Sequence, residues 1–404
     1  MTIASPSRLE VNVVPLNDVA HFIRGVTFKP EDVVPVGTPG SVACMRTKNV
    51  QATIDLADVW ALPSVLIRRD DQLVAPGDLL VSTANSWNLV GKCCWVPTLP
   101  WPTTFGGFIS VLRPDPGMVY PRYLFHWFGS QHTQEAVRSF GQRTTSISNL
   151  NIERTLALQI PLPPLAAQRR IADVLDKVDG LRVKRRTALA GVDAIAQSMF
   201  EDMFGDPDKY PPGTLESVAE LRRGPFGGAL RKEIFVDAGY RVYEQSNAIQ
   251  DDFNTGRYFI DATKFASMRT FAVEPDDLIV SCSGTLGRVA IVPPDAAPGV
   301  INQALLRVRP KADRVTPLFL KMFLASSATQ SALTGLGRGT GLQNFPPMEE
   351  VRALRVPVPP LPAQHHLAAR MSVLSKMKEG MAASLAQLDD LFASLQHRAF
   401  RGEL

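Results

Sequence analysis

The stretch "PLPPLAAQ" at residues 161–168 returns as "PVPPLPAQ" at 357–364, with six identities in eight positions and an offset of 196. Adjacent prolines cannot lie inside a helix, where each deletes a hydrogen bond and crowds the preceding turn, but they suit its threshold. Each stretch therefore reads as the lead-in to a long helix. The match continues upstream: "VLRPD" (111–115) faces "RVRPK" (307–311), and Pro121 of "PRYLFHWF" faces Pro317 of "PLFLKMFL". Earlier still the offset is 199, with "VAPGDLLVS" (74–82) facing "VEPDDLIVS" (273–281) and "LNDVAHFIRG" (16–25) facing "LESVAELRRG" (215–224). The slip between offsets implies one loop that differs in length. The period is far too long for a solenoid, so the chain is a duplication. Its expected parts are a globular head at 1–160, a long helix at 161–204, a second head at 205–356 and a second long helix at 357–404.

Within the heads, "DLLVSTA" and "DLIVSCS" read as short buried strands after Pro-Gly or Pro-Asp turns. "YPRYLFHWFGSQHTQEAV" and "TPLFLKMFLASSATQSAL" read as helices with Pro in the first turn. Many Gly and Pro residues separate these elements, so each head is expected to be α+β with long loops. Beyond the first Pro-Pro pair, Ile171, Val174, Val178, Leu181, Arg185, Ala188, Val192, Ile195 and Met199 alternate steps of three and four. Beyond the second, Leu374, Met377, Met381, Leu385, Leu388, Leu391 and Leu395 nearly repeat the pattern. Such alternation predicts a coiled-coil seam, with Arg185 a local break. A seam helix needs a partner to bury its stripe, and the chain carries two seams of matching length. Antiparallel pairing within the chain is the expectation, with homodimerisation the alternative. The expected whole is a pseudo-two-fold dumbbell on a rod of roughly 55–60 Å.

The chain has 404 residues, is 45% hydrophobic and 20% charged, and carries a formal net charge of +4. A packed core is expected, and a mild basic bias permits an anionic partner without demanding one. Cys44, Cys93, Cys94 and Cys282 show neither CxxC spacing nor a disulfide framework, which points to reduced thiols in a cytoplasmic protein. No basic-then-apolar leader and no long apolar run argue against secretion or membrane spanning.

Two related heads held at a fixed separation suit duplex DNA, whose matching groove faces recur about every 34 Å. The duplicated layout and the twice-used Pro-Pro-Leu-x-x-Gln lead-in resemble the specificity subunit of a type I restriction-modification system, over essentially the whole chain. The second lead-in departs from the first, reading "QHHLAARM" against "QRRIADVL", with Arg370 where the first copy has Val174. The resemblance implies two target-recognition domains, each reading one half of a split target. It implies helices that set the spacer and dock two methyltransferase subunits, and motor-nuclease subunits in a restriction complex. It also implies that S-adenosylmethionine, ATP and Mg belong to those partners, that no cofactor sits in this chain, and that the setting is the bacterial cytoplasm on DNA.

The apparent catalytic motifs do not hold together. "GLGRGTG" (335–341) lacks the Lys-Ser/Thr of a P-loop, and its twin "GQRTTSI" (141–147) keeps one glycine. A DNA-facing loop is the preferred reading, an ordinary surface loop the plain one. "NFPP" (344–347) has the wrong order for an amino-methyltransferase motif and reads as a turn. His365 and His366 are adjacent on a helix and share no face for a metal. Cys93 and Cys94 read as strand residues. No catalytic constellation emerges, as expected of a recognition subunit.

Candidate DNA-reading residues are the polar and basic ones in turn-rich loops, since Arg and Lys suit guanine O6/N7 and Asn and Gln suit adenine N6/N7. In the first head these are Arg24, Arg46, Lys48, Asn49, Asn85, Ser86, Asn88, Arg143, Thr144 and Thr145, with Trp87 reading as core. In the second they are Arg223, Lys232, Gln245, Ser246, Asn247, Ser283, Thr285, Arg288, Arg338, Thr340, Gln343 and Asn344. "TANSWNL" and "SCSGTLG" stand out, because they follow matched strands yet differ between copies. Lys177, Arg182, Lys184, Arg185 and Arg186 gather on the first long helix, as a solvated face or a contact with DNA or a modification subunit. Two other function classes stay open at this point: a stand-alone DNA methyltransferase and a coiled-coil adaptor with protein ligands only.

Overall fold

The computed structural model describes residues 12–143, 147–206, 209–225, 228–334 and 345–404, without the side chains of Gln142 and Arg143. The chain divides into two compact units, residues 1–186 with 383–404, and residues 187–382. Each unit joins one head to parts of both long helices.

The two heads share one topology. In the first, a four-stranded antiparallel sheet runs Ala20–Arg24, Ile109–Pro114, Leu79–Ser82, Cys93–Trp95. A mixed sheet runs Trp60–Pro63, Ser41–Met45, Thr103–Phe105, and its last two strands are parallel. The second head repeats both orders with Ala219–Arg223, Leu305–Pro310, Leu278–Ser281, Val289–Ile291, and with Phe259–Ile260, Tyr240–Tyr243, Gly299–Ile301. Leu79–Ser82 and Leu278–Ser281 are buried at every residue, which explains their unbroken apolar spelling.

The turn before each buried strand is built alike. Asp78 and Asp277 are buried; each accepts from a backbone N–H three residues back, Ala75 or Glu274, at 2.8 Å. Each also takes a two-point contact from an arginine, Arg113 (2.8 and 2.7 Å) or Arg309 (2.7 and 2.8 Å). The preceding residue is left-handed in both copies, Gly77 (φ 99°) and Asp276 (φ 69°). Such a turn needs positive φ at its third position, which glycine adopts freely and aspartate tolerates.

The helix lead-ins explain the twice-written motif. Gln168 is buried; its Oε1 accepts from the Tyr120 N–H at 2.7 Å and its Nε2 donates to the Pro163 carbonyl at 2.8 Å. Gln364 does the same with the Thr316 N–H (2.7 Å) and the Pro359 carbonyl (2.8 Å), and also donates to the Arg314 carbonyl at 3.0 Å. One amide thus satisfies a carbonyl that no helix hydrogen bond can reach and ties the long helix to the start of the head's Pro121 or Pro317 helix.

The long helices span Leu165–Phe204 and Leu361–Ala399. In the first unit, Ile171, Ala172 and Leu175 share a core with Phe392, Leu395 and Ala399. Arg182 meets Asp389 at 2.5 Å and lies over the Phe392 ring. In the second unit Phe200 and Phe204 share a core with Leu367 and Met371, and Asp193 meets Lys378 at 2.6 Å. Within each unit, then, the segments run antiparallel. Arg122, His126 and Asp176 further bind the first head to its helix; burial opposes the Asp176 charge, but hydrogen bonds from His126 and Arg122 prevail and hold its carboxyl at about 2. The second copy has Leu318, Met322 and Ser372 at those positions.

The seam differs from the expected one by one residue at several turns. Leu181, Ile195, Met377 and Leu391 are 47–52% exposed, whereas their neighbours Arg182, Ala196 and Phe392 are half-buried; Val192 is buried, as expected. The apolar stripe is three positions wide, so its spelling fits two registers. The observed register puts Arg182 inward and leaves an aliphatic residue outside. Leu181 and Leu391 lie at nearly the same level on the first unit, and Ile195 and Met377 on the second. The repeat offset of 196 relates Leu181 to Met377 and Ile195 to Leu391. Each unit therefore exposes one such residue from each long helix, Leu181 with Leu391 and Ile195 with Met377, and also Val183 on the first unit and Val373 on the second. Among the described residues, no helix is long and apolar enough to cross a membrane.

Candidate nucleic-acid interface

Strands Ser41–Met45 and Thr103–Phe105 are parallel, so the chain leaves both at the same edge of the first head. Gly106 N–H donates to the Met45 carbonyl at 2.9 Å, which joins the turn at 106–108 to the window beginning at Arg46. The carbonyl of Phe108 accepts from Thr83 and Ala84 at 3.0 and 3.2 Å, bringing in the loop that contains Asn85. Ala84 and Asn85 pair in turn with Asn149 and Ser148. Arg24–Gly25 closes the group, because a Cβ at Gly25 would fall 2.3 Å from the Gly106 carbonyl oxygen. Only glycine permits that approach.

The second head assembles the same edge. Asn302 N–H donates to the Tyr243 carbonyl at 2.9 Å, and Cys282 N–H to the Ala304 carbonyl at 2.7 Å. A Cβ at Gly224 would fall 1.8 Å from the Asn302 carbonyl oxygen, which places Arg223 as Gly25 places Arg24. The difference in offset is located here. Gly91 N–H donates to the Ser82 carbonyl and Gly287 N–H to the Ser281 carbonyl, both at 2.8 Å, so these residues correspond. The first loop is therefore three residues longer than the second.

The window after each central strand is framed by an asparagine, which corrects one expectation. Asn49 and Asn247 are buried and cannot read bases. Asn49 accepts from the Arg46 N–H at 2.8 Å and donates to the carbonyls of Asp55 and Asp58. Asn247 accepts from the Glu244 N–H at 2.8 Å and donates to those of Asp252 and Thr255. Both were chosen by residue type, yet their amides hold the loop shut. Between the fixed ends the windows differ in charge. Arg46 lies 3.6 Å over the Trp60 ring and, with Lys48 (2.7 Å), pairs with Asp58, whose carboxyl is held below its usual range by these hydrogen bonds. In the second head the acid and base are exchanged, Glu244 pairing with Arg257 at 3.1 Å.

Most remaining candidates fall on this edge. Arg24, Lys48, Ser86, Asn88, Ser283, Thr285 and Arg288 are exposed; Arg46, Asn85, Arg223, Gln245 and Ser246 are half-buried. Asn85 donates to Ser82 Oγ at 3.0 Å. Trp87 packs against Gly141, where a Cβ would meet its ring at 3.2 Å. Arg223 donates to the Cys282 carbonyl at 3.4 Å and lies 5.1 Å over the Phe345 ring. Gln245 rests on Gly284, where a Cβ would lie 3.5 Å from its Nε2. Lys232 is exposed on a one-turn helix whose Ile234 packs on the Val242–Ile260 cluster, and no described contact ties it to the edge. Arg143 lies in the strand Gln142–Arg143. Thr144, Thr145, Arg338, Thr340, Gln343 and Asn344 lie outside the described residues.

The turns 106–108 and 302–304, which also join this edge, are not singled out by residue chemistry, although "FGGF" (105–108) is legible as a glycine turn between aromatics. Lys92 was missed too; it corresponds to Arg288 and donates to Gln51 Oε1 at 2.6 Å. Burial pushes all four thiols up to about 12, so they stay protonated at neutral pH. Among the described residues no His/Cys/Asp/Glu group is placed to hold a metal ion.

A repeated head that offers one scaffold edge with two different sets of side chains defines a duplicated recognition protein. The type I restriction modification DNA specificity domain matches the chain twice, at residues 9–189 and 207–389, and the chain belongs to that family. It is 23% identical to the type I restriction enzyme EcoKI specificity subunit of Escherichia coli K12, over 97% of this chain and 89% of that one. Its fold is like that of a chain solved in work on assembly and conformational transition of the type I R-M system (TM-score 0.62, 17% identity, all of both chains). It is also like the S subunit from M. genitalium (TM-score 0.52, 14% identity, 98% of each chain). The chain is thus a DNA sequence specificity subunit of a type I restriction-modification system.

Proposed function

We propose that the heads, 1–160 and 205–356, each read one half of an asymmetric, bipartite double-stranded DNA target. The observation that carries this reading is the edge itself: matched turns and matched Arg-Gly pairs hold windows of opposite charge order and loops of different length. Identical frames with different contents suit two different half-sites. In this reading the helices, 161–204 and 357–404, set the unread spacer and dock two methyltransferase subunits. The exposed apolar pairs Leu181/Leu391 and Ile195/Met377 support a stoichiometry of two, one per unit. The chain carries no chemistry of its own; S-adenosylmethionine, ATP and Mg act in the methyltransferase and motor-nuclease partners, in the bacterial cytoplasm. Mapping methylated positions in DNA from cells that express this chain with its partners tests the reading. The expected result is one split motif whose halves differ; a continuous motif, or a palindromic split one, would contradict it.

A further inference from the structure

We propose that Phe108 is a wedge by which the first head alone unstacks a base step in its half of the DNA, an inference that rests on the reading of the heads given above. Phe108 is 64% exposed and belongs to none of the first head's hydrophobic clusters. A phenylalanine left in water at one point of a surface is ordinary in itself. Its position is what counts.

It ends the tight turn that begins at Gly106, where Ile109 N–H donates to the Gly106 carbonyl at 2.9 Å, and its own carbonyl anchors the Asn85 loop. Arg24–Gly25 packs against the other side of the turn. The backbone at Phe108 is thus fixed, its side chain is mostly exposed, and its turn is joined on the backbone both to the loop that carries Asn85 and to Gly25, next to the exposed Arg24. Apolar side chains that enter DNA between base steps need that combination: a rigid mount and flanking groups that hold the backbone and bases in place. The corresponding residue of the second head is Ala304, which cannot insert. The asymmetry follows from one side chain.

The test uses the full complex with its methyltransferase subunits and duplexes of the mapped target, with 2-aminopurine placed singly along both halves. Apart from the methylated base that a methyltransferase subunit extrudes in each half, fluorescence should rise several-fold at one step of the half read by the first head and nowhere in the other half. F108A should abolish the rise and weaken target binding about tenfold, the loss expected for one stacking contact, while F108Y restores both. A rise that persists in F108A, or no rise in an unaltered complex that binds its target specifically, overturns the inference. So does an F108A complex that sheds methyltransferase subunits with its DNA signal unchanged, since Phe108 is then a protein contact. If the unaltered complex shows no sequence-specific binding, the recognition reading itself fails and this inference falls with it.

Discussion

Glutamate at both Leu181 and Leu391 removes one methyltransferase subunit from the complex and leaves the other in place: that is the expected result for the double variant. The two leucines are 52% and 47% exposed in the free chain, so carboxylates there meet water and the fold is little affected. Docking is different. A partner helix that covers the pair must strip water from both carboxylates, at a cost of several kcal/mol when no counter-charge is supplied. About 4 kcal/mol is a loss of roughly a thousandfold in affinity. The second unit's pair, Ile195 and Met377, is untouched, so one docking face survives. Native mass spectrometry of the reconstituted complex should change from two methyltransferase subunits to one, and methylation should fall steeply. Retention of both subunits, or loss of both at once, would show that these pairs are not separate docking faces.

The second large effect is on stability. Gln364→Ala should destabilise the second unit by about 3–5 kcal/mol, because it leaves the Thr316 N–H and the Pro359 and Arg314 carbonyls without the amide that satisfies them; each buried orphan costs roughly 1–3 kcal/mol. Gln168→Ala should act likewise on the first unit, where Tyr120, Pro163 and Met118 lose their partner. Thermal unfolding of the full chain should show a transition lowered by roughly 10 °C, at about 2–4 °C per kcal/mol. Hydrogen exchange should locate the loss at the head-to-helix junction of the altered copy. A change below about 1 kcal/mol would mean that the motif merely starts a helix and does not lock it to the head.

The same glutamines show how far sequence reasoning reaches. The repeat, the helix starts and the buried strands were legible because each rests on a local rule: Pro at a threshold, an apolar run after a turn, the same words in the same order. The seam register was less so. Leu181 and Arg182 compete for one inward position, and hydrophobicity chooses Leu181, whereas the helix turns Arg182 toward Asp389 and Phe392. The site divided in a similar way. Residue chemistry singles out Asn49 and Asn247 together with Lys48 and Gln245, and only the three-dimensional path of the chain separates the amides that close the window from the exposed Lys48 and from Gln245, half-buried against Gly284. The turn at 106–108 carries no charge and no amide side chain, so a search for hydrogen-bonding readers passed over it. Its place on the edge comes from the parallel pairing of Ser41–Met45 with Thr103–Phe105, a long-range contact that no local pattern encodes.

The central claim is that each copy of the repeat reads its own half of the target. Exchanging residues 1–160 for the first head of another family member, with the helices and the second head kept, tests it most directly, with methylated positions sequenced afterward. The account predicts a motif in which one half is new and the other half is retained. A motif changed in both halves, or in neither, would contradict it.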